Sequence, residues 1–272
     1  MTLSGKTVFV TGATRGIGRA IALRAARDRA NVVVVGKTDT PHPKLRGTIQ
    51  DTVREVEELG GKAVGCVVDV RSEEQVQTAV KAAVDAFGGI DVLVNNASAI
   101  SLTRTADTEM KRYDLMHQVN TRGTFVCTKA CLPWLERAQN PHVLVLSPPL
   151  ELKPEYFAPH VAYTLSKFGM SLLVLGFAAE FRGAGVAVNA LWPRTVIATA
   201  AVENLLGGPA VTARARKPEI VADAFHAIVT RPSRDFSGRF CLDEDVLRDA
   251  GVRDFDQYAM TPGAELLSDL FV

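Results

Sequence analysis

The chain has 272 residues, 47% of them hydrophobic, with 31 lysines and arginines against 30 aspartates and glutamates. That balance excludes a basic field for nucleic acid and an acidic tail, and the length suffices for one large α/β domain or two smaller ones, either with a substantial core. The first apolar run, TVFVTGA, is too short to cross a bilayer and leads into glycine-rich sequence rather than a cleavage site, so no membrane span and no signal peptide are expected.

Along the chain, short aliphatic runs alternate with segments of helical period. TVFVTG is followed by IGRAIALRAARDRA, NVVVVG, DTVREVEELG, AVGCVVDV, EEQVQTAVKAAVDAFG, DVLVNNA, HVLVLS, a long stretch ending VLGFAAEFRG, VAVNALWP and GRFCLDE. Strands without polar alternation are buried on both faces, and their interleaving with helices implies a parallel sheet. The expected architecture is α/β: a Rossmann-type doubly wound parallel sheet of about seven strands, three αβα layers, in one domain over residues 1–272. Two irregular insertions, TDTPHPKLRGT after the second strand and residues 199–218 after the sixth, belong on the rim beyond the strand carboxyl ends, where ligands sit in such sheets. The four cysteines are far apart except Cys127 and Cys131, which lack a nearby histidine to complete a zinc site. They read as buried free thiols in a reducing compartment, and no metal is expected.

The first strand runs into 11-TGATRGIG-18 and a helix beginning near Ile17. Glycines permit a tight turn and close backbone approach, and the helix amino terminus offers N–H groups and a positive dipole end to a phosphate. Gly12, Thr14, Arg15, Gly16, Ile17 and Gly18 are therefore candidate cofactor residues. The second strand ends VVVVGKT, with Gly36 where an acid would hold the ribose of NAD. Lys37 follows it, so Lys37 and Arg15 can converge on a 2′-phosphate with no opposing carboxylate, which favours NADP over NAD; the blander alternative is two solvated surface charges. Farther on, Ser147 closes a strand ahead of two prolines, and Tyr163 precedes Lys167 by four residues, one helical turn on the same face. A close ammonium favours phenolate and lowers the tyrosine pKa, so the pair can exchange a proton with a carbonyl or alcohol.

TGxxxGxG, then Asp69 after the third strand, 95-NNAS-98, Asn120, Ser147 and Tyr163-x-x-x-Lys167 together resemble the short-chain dehydrogenase/reductase superfamily, in its order and over nearly the whole chain. The resemblance implies an NAD(P)-dependent oxidoreductase. Tyr163 would be its general acid/base, Lys167 would tune it and hold the nicotinamide ribose, Ser147 would orient the carbonyl, and Asn120 would join a water-linked proton path. Asp69 with Val70, and Asn96, would lie along the cofactor. Thr195, ahead of Thr199, would touch phosphate, and the backbone near Ile197 would meet the carboxamide. Two departures stand out. Relatives usually close the fifth strand with two serines, and Ser147 with Pro148 occupies those places, so Ser147 is either the site serine or a strand-end hydrogen-bonder. Arg194 stands where relatives carry glycine, and it either attracts an anionic substrate such as an acyl-CoA or is a solvated rim charge.

The strings KTDTPHPKL, NNASAISLT, NTRGTF, SPPL, NALWP and LGGP look like the branch typified by hydroxysteroid dehydrogenase-like protein two. The resemblance points to a carbonyl or secondary alcohol of lipid- or steroid-like character, although the branch name by itself does not establish steroid chemistry. Animal members of the branch carry an added sterol-carrier domain and a peroxisomal ending that this sequence lacks, so a free-standing cytoplasmic form is expected, and a homodimer or homotetramer as is common in the superfamily. The competing class is a non-catalytic dinucleotide-binding redox sensor or scaffold.

Overall fold

The computed structural model describes residues 1–41, 47–205 and 207–272. Seven strands form a single sheet in the order β3-β2-β1-β4-β5-β6-β7, every pair parallel. In chain order the elements are β1 (Thr7–Thr11), α1 (Gly16–Arg27), β2 (Asn31–Gly36), α2 (Ile49–Glu58), β3 (Lys62–Val67), α3 (Glu73–Phe87) and β4 (Val92–Asn95). Then come α4 (Met110–Met116), a π-helical segment (His117–Arg122), α5 (Gly123–Leu135), β5 (His142–Val145), α6 (Pro154–Phe157), α7 (Val161–Glu180) and β6 (Ala187–Trp192). The chain ends with α8 (Ala200–Leu205), α9 (Gly208–Ala213), α10 (Glu219–Val229), β7 (Phe240–Leu242), α11 (Asp243–Asp249) and a segment through Val272.

Side chains alternate across each strand, so a run of aliphatic residues supplies two layers at once. Val8, Val10, Val32, Val34, Val92 and Val94 pack with α1 and α10, whereas Phe9, Val33, Val35 and Leu93 pack with α3, α5 and α7. The doubly wound expectation is met. Strand β3 departs from the fully buried pattern, since it pairs only with β2 and its residues alternate between exposed and half-buried. Residues 42–46 of the first insertion lie outside the described residues, and its flank through Pro41 is exposed. The second insertion is not irregular: α8 and α9 occupy it, and within it Arg216 is buried against Glu244. All four cysteines are free, and burial pushes the Cys127 thiol up to about 12.

Helix α7 is long and apolar enough to cross a membrane by length and composition alone, but 61% of its apolar window is buried inside this fold. Its inner face supplies Met170, Val174, Phe177 and Ala178 to the core, the reason for its apolar character.

His142, at the start of β5, is 1% exposed; its Nε2 sits 3.0 Å from the Arg231 carbonyl oxygen, and its buried Nδ1 has no partner. Burial lowers its pKa to about 4, so the unfolded chain, with histidine near 6.5, takes up the proton first as pH falls. Folding stability from this group is present above about pH 6.5 and is lost on acidification towards pH 4. Urea midpoints at pH 7 and pH 5 should show the wild type losing on the order of 2 kcal/mol more than His142→Gln over that interval. Equal losses would count against it.

Candidate active site

The glycine turn joins β1 to α1 at the carboxyl edge of the sheet. Gly12 and Gly16 have φ of +67° and +53°, conformations that glycine adopts freely. Asn96, just beyond β4, locks the turn: its Nδ2 donates to the Thr11 carbonyl at 2.9 Å and the Gly12 carbonyl at 3.1 Å. The second asparagine of NNAS thus braces the turn through its side chain. No side chain caps α1, which leaves its first N–H groups facing outward, as a phosphate requires. Thr14 packs its methyl beneath Gly36, whose imagined Cβ would stand 2.7 Å from it, and Ile17 packs against the core. Of the two threonines offered for phosphate, Thr199 is the one over the turn, its methyl 3.2 Å from an imagined Cβ on Gly16. Thr195 is buried, pairs through its backbone with Ser268, and carries an unpartnered hydroxyl. Buried Ile197 is paired with Arg216, which fixes the backbone beyond β6.

At the end of β2 the two cations part. Arg15 donates through Nη2 to the Thr38 hydroxyl and the Gly47 carbonyl, both at 3.0 Å, while its buried Nε lacks a partner. Lys37 instead binds the Asp69 carboxylate at 2.9 Å, and Arg71 shares that carboxylate, holding it well below the usual range. The expectation that no carboxylate opposes Lys37 is therefore corrected: Asp69, brought beside β2 by the pairing of β2 with β3, opposes it. Its neighbour Val70 is buried against Gly123 at the start of α5.

Asn120 lies in the π-helical segment, fully buried. Its Nδ2 donates to the Ala99 carbonyl and to Ser166 Oγ, and its Oδ1 accepts from the Ala99 N–H at 2.7 Å. It ties the loop after β4 to α7, and the π-helical register has no signature in the residue pattern. Tyr163 and Lys167 lie on the buried face of α7, 5% and 2% exposed. Lys167 Nζ donates to the Leu146 carbonyl at 2.6 Å and stands 5.0 Å over the Trp192 ring. Burial lowers its pKa to about 7, opposed by the charge of Asp269. Burial, and then Asp269, push the Tyr163 phenol well above its ordinary value. This corrects the expected direction: the amine points at the carbonyl beside Ser147 instead of at the phenol, so it does not lower the phenol's pKa here. A protonated phenol can donate a proton to a developing alkoxide.

Ser147 is fully buried and its Oγ has no partner, although its neighbours are anchored, Leu146 by Lys167 and Pro148 by the Ser171 hydroxyl at 2.7 Å. A buried hydroxyl without a partner is uncommon and leaves a donor and an acceptor available next to the lysine. Arg194 grips both oxygens of Asp245 at 2.7 Å, which removes the reason to assign it an anionic substrate. Residue reasoning missed the last residues of the chain. Leu267 and Asp269 hydrogen-bond the backbone that follows β6, half-buried Asp269 acts on Tyr163 and Lys167, and its carboxyl is raised to about 7 by burial and by nearby Asp243. The available signal was the apolar ending LFV after a polar stretch. Among the described residues no cluster of histidine, cysteine, aspartate or glutamate could hold a metal ion.

The free α1 amino terminus, the positive-φ glycines and the unpartnered Arg15 Nε, Ser147 Oγ and Thr195 Oγ1 fit a dinucleotide laid from Arg15 towards Tyr163. Comparison with known proteins agrees. Residues 6–207 match the family model described as short chain dehydrogenase. Hydroxysteroid dehydrogenase-like protein 2 from Rattus norvegicus is 57% identical over 270 residues, which is 99% of this chain and 51% of the relative, so the chain spans about half that relative's length. A solved structure from Xanthomonas campestris is 57% identical with a TM-score of 0.97, covering 100% of this chain and 99% of that one. A short chain dehydrogenase from Mycobacterium thermoresistibile is 49% identical with a TM-score of 0.94, covering 100% of this chain and 96% of its own.

Proposed function

This chain belongs to the short-chain dehydrogenase family, an oxidoreductase of nicotinamide chemistry, and from that membership we propose that it is NADP-dependent and acts on an apolar, lipid- or steroid-like carbonyl or secondary alcohol. The observation that carries the reading is the burial of Tyr163 and Lys167 together at the carboxyl edge, inside a cluster of Met116, Phe168, Trp192 and Phe271. When bound, the nicotinamide supplies or accepts the hydride. The protein's own groups do the rest: Tyr163 gives its phenolic proton to the carbonyl oxygen, Lys167 and Ser147 set the electrostatics beside it, and the apolar side chains exclude water. Cofactor oxidation on a panel of ketones tests the reading; tight NADP binding with no turnover on any member would instead favour the sensor class.

The preference for NADP rests on Gly36, where no acid stands, and on Arg15 with a buried N–H unclaimed beside Thr38. Arg15→Ala should raise the Kd for NADPH roughly 10- to 100-fold and leave NADH within about 2-fold, the size of a charge-assisted hydrogen bond. Lys37→Asp should act in the same direction, and equal losses for both cofactors in both variants would overturn the assignment. Exposed Leu165, Leu172 and Leu175 on α7 beside Phe125 on α5 support a homodimer or homotetramer. The four free thiols suit the cytoplasm, where we place the protein.

A further inference from the structure

The segment from Leu267 to Val272 is strapped across the end of β6. The Leu267 carbonyl accepts from the Val196 N–H at 2.9 Å, the Asp269 N–H donates to the Arg194 carbonyl at 3.0 Å, and Trp192 Nε1 donates to the Leu270 carbonyl at 2.7 Å. These bonds deliver Phe271 into the aromatic cluster. Its ring centroid lies 5.7 Å from both Phe168 and Trp192 and 6.2 Å from both Tyr156 and Tyr163, so it is the hub of the cluster and stacks on the Tyr163 ring. Its backbone has φ +72°, the left-handed region that a bulky side chain rarely adopts, and the ring is nonetheless 5% exposed. Such a conformation persists where the surroundings impose it, and it clusters at functional sites.

We propose that Phe271 is a specificity-determining residue: its ring forms the wall of the substrate site facing Tyr163 and limits the size of the apolar group a ketone can carry beside its carbonyl. The inference rests on the reading of Tyr163 as proton donor. Three features support it. The other walls, Met116, Ala162, Phe168 and Trp192, come from α4, α7 and β6, so their backbone is set by the sheet and its helices, whereas the backbone of Phe271 lies outside any helix or strand and is carried by the strap. The ring packs with Tyr163 in a third apolar cluster, separate from the two that line the faces of the sheet. The strap also pairs with residues 194–196, the backbone that leads to Ile197, so the same segment shapes the cofactor side and the substrate side together.

The test compares the full chain with Phe271→Gly, which removes the ring and relieves the backbone, and with Phe271→Leu, which keeps an apolar side chain. Each protein, saturated with NADP, is titrated calorimetrically with cyclohexanone and with 2-acetonaphthone, and NADPH-dependent reduction of both ketones is measured in parallel. Phe271→Gly should bind the naphthyl ketone about tenfold tighter relative to cyclohexanone than the wild type does, with Phe271→Leu shifting the ratio less in the same direction. An unchanged ratio in both variants overturns the proposal, as does absence of binding of either ketone to every protein. Should Phe271→Gly fail to fold, the ratio in Phe271→Leu decides alone. If the ratio shifts while no protein reduces either ketone, the wall is real and it is the oxidoreductase reading of this site that falls.

Discussion

Tyr163→Phe should lower kcat for ketone reduction by two to four orders of magnitude, the range that a positioned proton donor contributes, while NADPH affinity and folding stay close to wild type. The expectation is sharp because of how the hydroxyl is housed. The ring is packed among Phe271, Trp192 and Phe168, all of which phenylalanine would satisfy equally, and the hydroxyl makes no hydrogen bond to the described residues that its removal would break. Deleting it therefore removes a proton without opening a cavity, so the loss should appear in kcat with KM nearly unchanged. The pH profile adds a second readout. In the free protein burial holds the phenol protonated, so the proton needed for reduction is in place across neutrality and the reduction rate should not fall between about pH 6 and pH 8 through loss of that proton. Retention of turnover in Tyr163→Phe would move the proton donor elsewhere, and Ser147 with its unpartnered hydroxyl would be the group to replace next.

Legibility in the sequence follows the range of the constraint. The glycine turn could be read because each glycine answers to backbone conformation or close approach within a few residues, and the alternation of strands and helices because burial on two faces leaves continuous aliphatic runs. Tyr163 and Lys167 could be placed on one helix face from their spacing. What could not be read is where the lysine amine points, since its partner, the Leu146 carbonyl, is presented by a turn 21 residues earlier whose shape depends on two prolines and on Ser171. The pairing of Lys37 with Asp69 likewise requires knowing that β2 and β3 lie side by side in a register that aligns Gly36 with Val67. Phe271 meets Tyr163 across more than a hundred residues of chain, and no periodicity carries that contact. The residue types were therefore visible, but the direction of the pKa shift on the phenol was not, because it depends on burial by distant segments.

Gly18→Ala is expected to abolish measurable cofactor binding, although a single methyl group is added and the residue lies in a helix, where alanine has the higher propensity. The reason is steric. A Cβ on Gly18 would stand 2.3 Å from the Gly12 carbonyl oxygen and 2.5 Å from Asn96 Nδ2, and neither can yield. The carbonyl belongs to the turn itself, and the Asn96 amide is fixed by its bonds to Thr11 and Gly12. Relief to ordinary contact requires α1 to retreat from the turn by roughly 1 Å, which carries its amino-terminal N–H groups away from the phosphate position. Overpacking of this kind costs about 1–3 kcal/mol of stability, far less than a fold of this size needs to unfold, so a folded protein that no longer binds NADPH is the expected result. NADPH fluorescence titration and a urea midpoint measure the two effects separately. Gly89→Ala supplies the control, because a Cβ there meets nothing within 4 Å. Wild-type affinity in Gly18→Ala would mean that the amino terminus of α1 does not face the dinucleotide, and the placement of the cofactor along Arg15 and Tyr163 would have to be abandoned with it.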